Sequence, residues 1–148
     1  VCQMVTMSSN GELHARPMQA QGYSADGEFW FITEAGSRKL GEIEQNSKVL
    51  LSYAHPGQQD YVSVSGNASV VTDLARTRAI WSKNCELWFP DGPEDPRIRL
   101  IRFQADNAEY WNSTGNALEF AYEYLKSKIT NTPPADMADM GKAHYRSA

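Results

Sequence analysis

The sequence has few cysteines, no long apolar run and no excess of basic residues. Its two cysteines, Cys2 and Cys85, lie far apart and in no CxxC or Cys/His spacing, which excludes a disulfide scaffold and indicates no metal site. No apolar stretch approaches the roughly 18 residues of a membrane span, and no leader pattern opens the chain. With 14 basic against 18 acidic residues, we expect it to bind neither nucleic acid nor membranes. These absences predict a protein of the reducing cytoplasm.

The length and the apolar content predict one domain. A chain of 148 residues with 41% hydrophobic residues can bury one sizeable core, but hardly two. We expect this domain to span residues 1–130 and a tail or arm to follow over 131–148, where apolar periodicity ends. Because a strand pattern begins at once and no methionine precedes it, we also expect a natural segment before Val1.

Short strands with turns between them dominate the pattern. Asn10 and Gly11 predict a tight hairpin between the first two strands. Gly66 predicts a bulge or a bend inside a long strand, and the slip in apolar parity between Leu100 and Ile101 predicts a bulge or a change of partner there. The predicted strands cover residues 2–7, 12–19, 29–33, 49–54, 61–71, 97–105 and 108–111.

Three helices are predicted among these strands. The first follows a cap at Ser37 and ends near Asn46, the second lies within residues 73–83, and the third covers 118–129 with a firm amphipathic period. The combination predicts a mainly β (α+β) fold, in which about six antiparallel strands form a small barrel with helices at its periphery.

One segment, residues 33–39, combines features of an anion site. It passes from a strand through Gly36 into a helix that begins with Ser37, Arg38 and Lys39. Cations in the first turn oppose the helix dipole, while free N–H groups at the same place bind phosphate or carboxylate. The pattern therefore indicates a phosphate site, although two solvated surface charges on a short helix would give the same spacing.

A second segment, residues 14–18, lies on the second predicted strand. Pro17 removes a ladder N–H, which favours an edge or bulged position where the backbone meets a planar ligand. An edge strand with a solvated Arg16 explains the same pattern.

The remaining polar and aromatic residues carry weaker signals. No histidine has a metal-ligand spacing or an evident carboxylate partner, so His14 is interpreted as a surface residue. Trp88 and Phe89 are interpreted as core or interface aromatics, and Cys85 as a small buried apolar residue. The acidic loop 91–95 is predicted to be solvated.

The order of several short motifs resembles a known family. Ala15-Arg16-Pro17-Met18, Phe29-Trp30-Phe31-Ile32-Thr33, Ser37-Arg38-Lys39, Tyr61-Val62-Ser63-Val64-Ser65-Gly66 and Ala108-Glu109-Tyr110-Trp111 follow one another as in the general stress protein 26 branch of the pyridoxamine 5′-phosphate oxidase-like family. The resemblance implies an FMN-binding split β-barrel of six antiparallel strands, built as a homodimer with the flavin at the subunit interface.

The resemblance also implies roles for individual residues, all in flavin binding. On the second strand, Arg16, Pro17 and Met18 would run beside the isoalloxazine. On the next strand, Ile32 and Thr33 would lie near the ring and ribityl chain. The phosphate would be held by Ser37, Arg38 and Lys39, and Trp111 would come from the other subunit.

The sequence departs from the true oxidases at two places. Tyr61 stands where they carry a flavin-contacting glutamine, and residues 113–116 lack their Arg-x-His substrate cluster, so vitamin B6 phosphate oxidation is not expected. The resemblance favours a flavin-dependent oxidoreductase of unknown substrate, using FMN or else FAD, with no catalytic residue identified. A non-enzymatic stress protein that stores or senses flavin, or a barrel for haem or a deazaflavin, remains an alternative.

Overall fold

The computed structural model describes residues 1–24, 26–58 and 60–111. The predicted helix 118–129, the segment 113–116, the tail 131–148 and the domain limit at residue 130 lie outside these residues. The described elements are β1 (Cys2–Met7), β2 (Leu13–Met18), β3 (Gly22–Tyr23), β4 (Glu28–Glu34), α1 (Arg38–Gln45), β5 (Lys48–His55), β6 (Asp60–Val71), α2 (Leu74–Ile80) and β7 (Ile98–Trp111), with 3₁₀ turns at Pro56–Gln58 and Lys83–Leu87.

The strands form one antiparallel sheet in the order β2-β1-β5-β6-β7-β4-β3. Within the described ranges no strand pairing joins β2 to β3, so the curled sheet stays open along one side, as a split barrel does. The predicted mainly β split-barrel class is confirmed. The two strands predicted over 97–105 and 108–111 are a single strand, β7, and the two-residue β3 was not predicted.

Apolar side chains cover both faces of the sheet. The larger cluster lies on one face, where Phe31, Leu51 and Phe103 are fully buried and Leu40 and Ile43 of α1 pack into the same cluster. A second cluster lies on the opposite face around Trp30, Phe89, Ile98 and Leu100. No helix in the described part of the chain is long and apolar enough to cross a membrane.

The bulge predicted between Leu100 and Ile101 is wrong. Strand β7 keeps continuous register with both neighbours there, since Leu100 pairs with Ile32 and Ile101 with Phe31. Both side chains are fully buried, Leu100 in the second cluster and Ile101 in the first. The parity slip therefore reflects burial on both faces of the sheet, and no extra residue is needed.

The bulge predicted at Gly66 is confirmed. The register between β6 and β7 shifts between Ser65 and Gly66, so that Asp106 has no opposite partner. A Cβ on Gly66 would lie 2.1 Å from the carbonyl oxygen of Gln104. Because real Cβ atoms cannot approach so closely, this position requires glycine.

We expect Gly66→Ala to lower the free energy of unfolding by about 2–4 kcal/mol, because the longest strand pair must separate to admit the methyl group. Urea denaturation measures this difference. Gly41→Ala in α1 is the control, since a Cβ there meets open space, and it should be neutral or stabilise by about 0.5–1 kcal/mol. Equal effects of the two substitutions would contradict the close-approach argument.

Candidate functional site

The turn between β4 and α1 presents a hydroxyl group that makes no hydrogen bond to any described residue. Gly36 adopts φ +82°, a left-handed conformation that reverses the chain after Glu34. Ser37 is the N-cap residue of α1, as predicted, but its side chain makes no capping hydrogen bond. Its Oγ is buried and has no partner among the described residues. A buried hydroxyl without a partner is costly, so this oxygen is suited to a ligand.

A cavity of about 500 Å³ opens beside this hydroxyl. It occupies the gap between the two open sides of the sheet, where Pro17 and Met18 end β2 and Ile32 and Thr33 end β4. Such a volume lies in the range of small-molecule sites. The lining residues are Val1, Pro17, Met18, Gln19, Gln21, Ile32, Thr33, Glu34, Ser37, Lys39, Asn84, Cys85, Trp88 and Phe89.

Lys39 places a cation in the cavity lining without a carboxylate partner. No carboxylate in the described ranges lies within ion-pair distance of its Nζ. Burial, and then the positive charge of Arg16, lower the pKa of Lys39 despite the opposing effect of Glu42. The Ser37 hydroxyl and the first N–H groups of α1 lie on the same turn. Together these groups can bind an anion.

Arg16 does not line the cavity, although the sequence analysis expected it beside the ligand. Its guanidinium turns into the barrel, where Nη1 donates to Oγ1 of Thr6 at 2.5 Å and to the Met4 carbonyl at 3.3 Å. Nη2 lies 3.0 Å from Oε2 of Glu42. The interpretation of Arg16 as a solvated side chain is wrong, since this side chain is only 19% exposed.

Glu42 of α1 is the centre of this interior network. Its side chain is 6% exposed, Oε1 lies 2.7 Å from Nδ1 of His14, and Oε2 accepts from Oγ1 of Thr6 at 2.5 Å. Burial raises the pKa of the Glu42 carboxyl, but the hydrogen bonds from Thr6, His14 and Arg16 outweigh it and hold the pKa below its ordinary value. The interpretation of His14 as a surface residue without a carboxylate partner is therefore wrong. Its partner, Glu42, lies on a helix that is distant in the sequence.

Two other predicted site residues also lie outside the cavity lining. The Arg38 side chain is 72% exposed, and its Nε lies 3.4 Å from Oε1 of Glu42. Trp111 ends β7 opposite Tyr61 and is 40% exposed. Six of the nine predicted residues do line the cavity, namely Pro17, Met18, Ile32, Thr33, Ser37 and Lys39.

One wall of the cavity was not predicted from the sequence. Asn84, Cys85, Trp88 and Phe89 line it from the 3₁₀ turn after α2 and its end. Phe89 is buried in the second cluster and anchors this wall, while Trp88 is 78% exposed. Cys85 is buried, as predicted. The adjacent aromatic residues Trp88 and Phe89 were the sequence signal available for this wall. Only the packing of Phe89 in the second cluster shows that Trp88 lies at the cavity.

The comparison with known proteins decides the family. Residues 1–135 match the family described as Pyridoxamine 5′-phosphate oxidase like. The chain belongs to this family. The resemblance inferred from the motif order is thereby confirmed, and solved structures of the pyridoxamine 5′-phosphate oxidase-like fold include proteins named general stress protein 26.

Three relatives illustrate the similarity. Protein bli-3 of Neurospora crassa is 30% identical over 135 residues, which are 85% of this chain but only 65% of that protein. The general stress FMN/FAD binding protein of Xanthomonas citri is 28% identical with TM-score 0.67, covering 78% of this chain and 82% of that one. A general stress protein 26-related protein of Clostridium acetobutylicum has TM-score 0.69 at 22% identity, covering 75% and 78% of the two chains.

We expect Glu42→Gln to destabilise the protein by about 2–4 kcal/mol at pH 7, because the largely buried Arg16 guanidinium loses its counter-charge. Since the folded pKa of Glu42 is below the ordinary 4.5, its contribution is complete above about pH 4.5 and is lost as the pH falls through the lowered folded pKa. Urea midpoints of both proteins between pH 7 and pH 3 should therefore converge toward low pH.

The control for this experiment is Glu44→Gln, which removes an exposed carboxylate from the same helix. Its midpoints should follow those of the wild type throughout. A constant gap between Glu42→Gln and the wild type across the pH range would contradict the role assigned to the Glu42 charge.

Proposed function

We propose that this protein binds FMN, with the phosphate at the start of α1 and the isoalloxazine between the open sides of the split barrel. Two findings support a flavin. The chain belongs to the pyridoxamine 5′-phosphate oxidase-like family, and a relative of the same fold at 28% identity is named a general stress FMN/FAD binding protein.

The observation that carries the proposal is the pair of unused polar groups at one end of the cavity. The Ser37 hydroxyl is buried without a partner, and the Lys39 ammonium has no ion-pair carboxylate among the described residues. A phosphate would accept hydrogen bonds from both groups and from the first N–H groups of α1. The fit explains why a helix begins with cations that oppose its dipole.

The rest of the cavity suits a ring with polar edges. Met18, Ile32 and Phe89 provide apolar surface, while Gln19 and Asn84 provide amides that can pair with heteroatoms. FMN supplies the redox chemistry in flavoproteins, and the protein orients and electrostatically tunes it. In this proposal the strand ends hold the ring and Ser37 and Lys39 bind the phosphate, with Arg38 acting only as a nearby charge.

We further propose a homodimer in which Trp111 of each subunit contacts the flavin of the other. The proposal rests on the family resemblance, and the partial exposure of Trp111 and its strand neighbour Tyr61 supports it. Both cysteines are free, which supports a site of action in the reducing cytoplasm.

The reaction is proposed to be electron transfer to an unknown substrate. Of the described residues that line the cavity, Glu34, Lys39 and Cys85 are the ones with titratable side chains, and Glu34 is paired with Arg97. No general acid or base is therefore assigned. This scarcity favours, as a second candidate, a protein that stores or senses flavin, and reduction of the bound flavin by NADH or NADPH with reoxidation by an acceptor would exclude it.

We expect the wild type to bind FMN much more tightly than riboflavin in a fluorescence titration, because only FMN carries the phosphate. Lys39→Met should raise the FMN Kd about tenfold or more and leave the riboflavin Kd unchanged. Arg38→Met is the matched control, since the exposed Arg38 should matter about threefold at most. Equal losses of FMN and riboflavin affinity in Lys39→Met would refute the phosphate assignment.

We expect Trp88→Ala to weaken FMN and riboflavin equally, by about five- to a hundredfold, because stacking on an aromatic side chain involves only the ring. Titration of both ligands measures the effect. Leu87→Ala is the control, because Leu87 is equally exposed but does not line the cavity. Unchanged affinities in Trp88→Ala would remove Trp88 from the ring site.

A further inference from the structure

Arg97 contacts the turn before α1 through both its backbone and its side chain. Its carbonyl accepts from the Ala35 N–H at 2.6 Å, and its Nη1 lies 3.3 Å from Oε1 of Glu34. Ser37 in turn donates its N–H to the Glu34 carbonyl at 3.3 Å. Ser37 is thus hydrogen-bonded through its backbone to Glu34, whose side chain pairs with Arg97.

Asp95 fixes the Arg97 guanidinium from the other side. Its Oδ1 accepts from Nε at 3.1 Å and from the Arg97 backbone N–H at 2.9 Å, while its Oδ2 accepts from Nη2 at 2.6 Å. The Asp95 side chain is 1% exposed, so the acidic loop is not fully solvated as predicted. These hydrogen bonds from Arg97 lower the pKa of Asp95. The guanidinium is therefore held between Asp95 and Glu34.

Glu34 is a charge that conflicts with an anionic ligand. It lines the same cavity as Ser37 and Lys39, and it is the only carboxylate among the described lining residues. A carboxylate next to a phosphate would weaken its binding by like-charge repulsion. Lys39 is not ion-paired with Glu34, so Arg97 is the cation that compensates this carboxylate.

We propose that Arg97 is a positioning residue for phosphate recognition: it holds the Glu34 carboxylate in an ion pair, so that Ser37 and Lys39 remain available to the phosphate. The proposal rests on the proposed FMN site and adds a residue that strengthens the preference for FMN over riboflavin given by Ser37 and Lys39. Asp95 supports this role because it fixes the guanidinium that reaches Glu34.

The test compares FMN and riboflavin affinities in the full-length protein by fluorescence titration. Arg97→Met leaves the backbone bond to Ala35 in place and removes the charge. We expect it to raise the FMN Kd about three- to tenfold, more at low salt, and to leave the riboflavin Kd unchanged. Glu34→Gln in the Arg97→Met background should restore the wild-type FMN Kd, because the repelling charge is gone.

Arg78→Met is the matched control, since Arg78 pairs with the exposed Glu94 and does not line this cavity. If Arg97→Met fails to fold because the buried Asp95 carboxylate loses its partner, adding Asp95→Asn removes that unpaired charge, and the same cycle is run in this background. Equal losses for both ligands, or no rescue by Glu34→Gln, would overturn the proposal. A wild type without FMN binding would instead refute the proposed function itself.

Discussion

The buried carboxylate of Glu42 determines how the helix of the candidate site sits on the sheet. It belongs to α1, and its partners Thr6, His14 and Arg16 belong to β1 and β2. Because an unpaired buried charge would cost several kcal/mol, α1 is favoured in the one position where all three contacts form. That position places Lys39, three residues earlier on the same helix, at the cavity.

Most charged side chains around the cavity consequently form ion pairs, and one cation has no ion pair among the described residues. Arg16 is turned into the barrel by Glu42, and Glu34 is paired with Arg97. That cation is the side chain of Lys39, which lines the cavity. A mildly acidic chain with a net charge of −4 can thus form a local site for an anion, since the compensation of charge depends on neighbours and not on the total.

Much of the fold could be predicted because its signals are local. Apolar patterning and turn residues indicated the strands, Gly36 and Ser37 marked the start of α1, and Asn46 marked its end. Gly66 indicated the bulge because a backbone approach that excludes a side chain leaves glycine as the only suitable residue. The parity slip at Leu100 was misinterpreted, because a sequence pattern cannot show that the opposite face of the sheet is also covered.

The sequence by itself determined most of the described elements, the family motifs and six residues that line the cavity. Only the tertiary structure decided the partners: His14 and Arg16 with Glu42, Arg97 with both Asp95 and Glu34, and the aromatic wall around Trp88. Periodicity reports which face of an element is buried, whereas an ion pair across 26 or 63 residues depends on the order of strands in the sheet. That order arises from the packing of the whole domain.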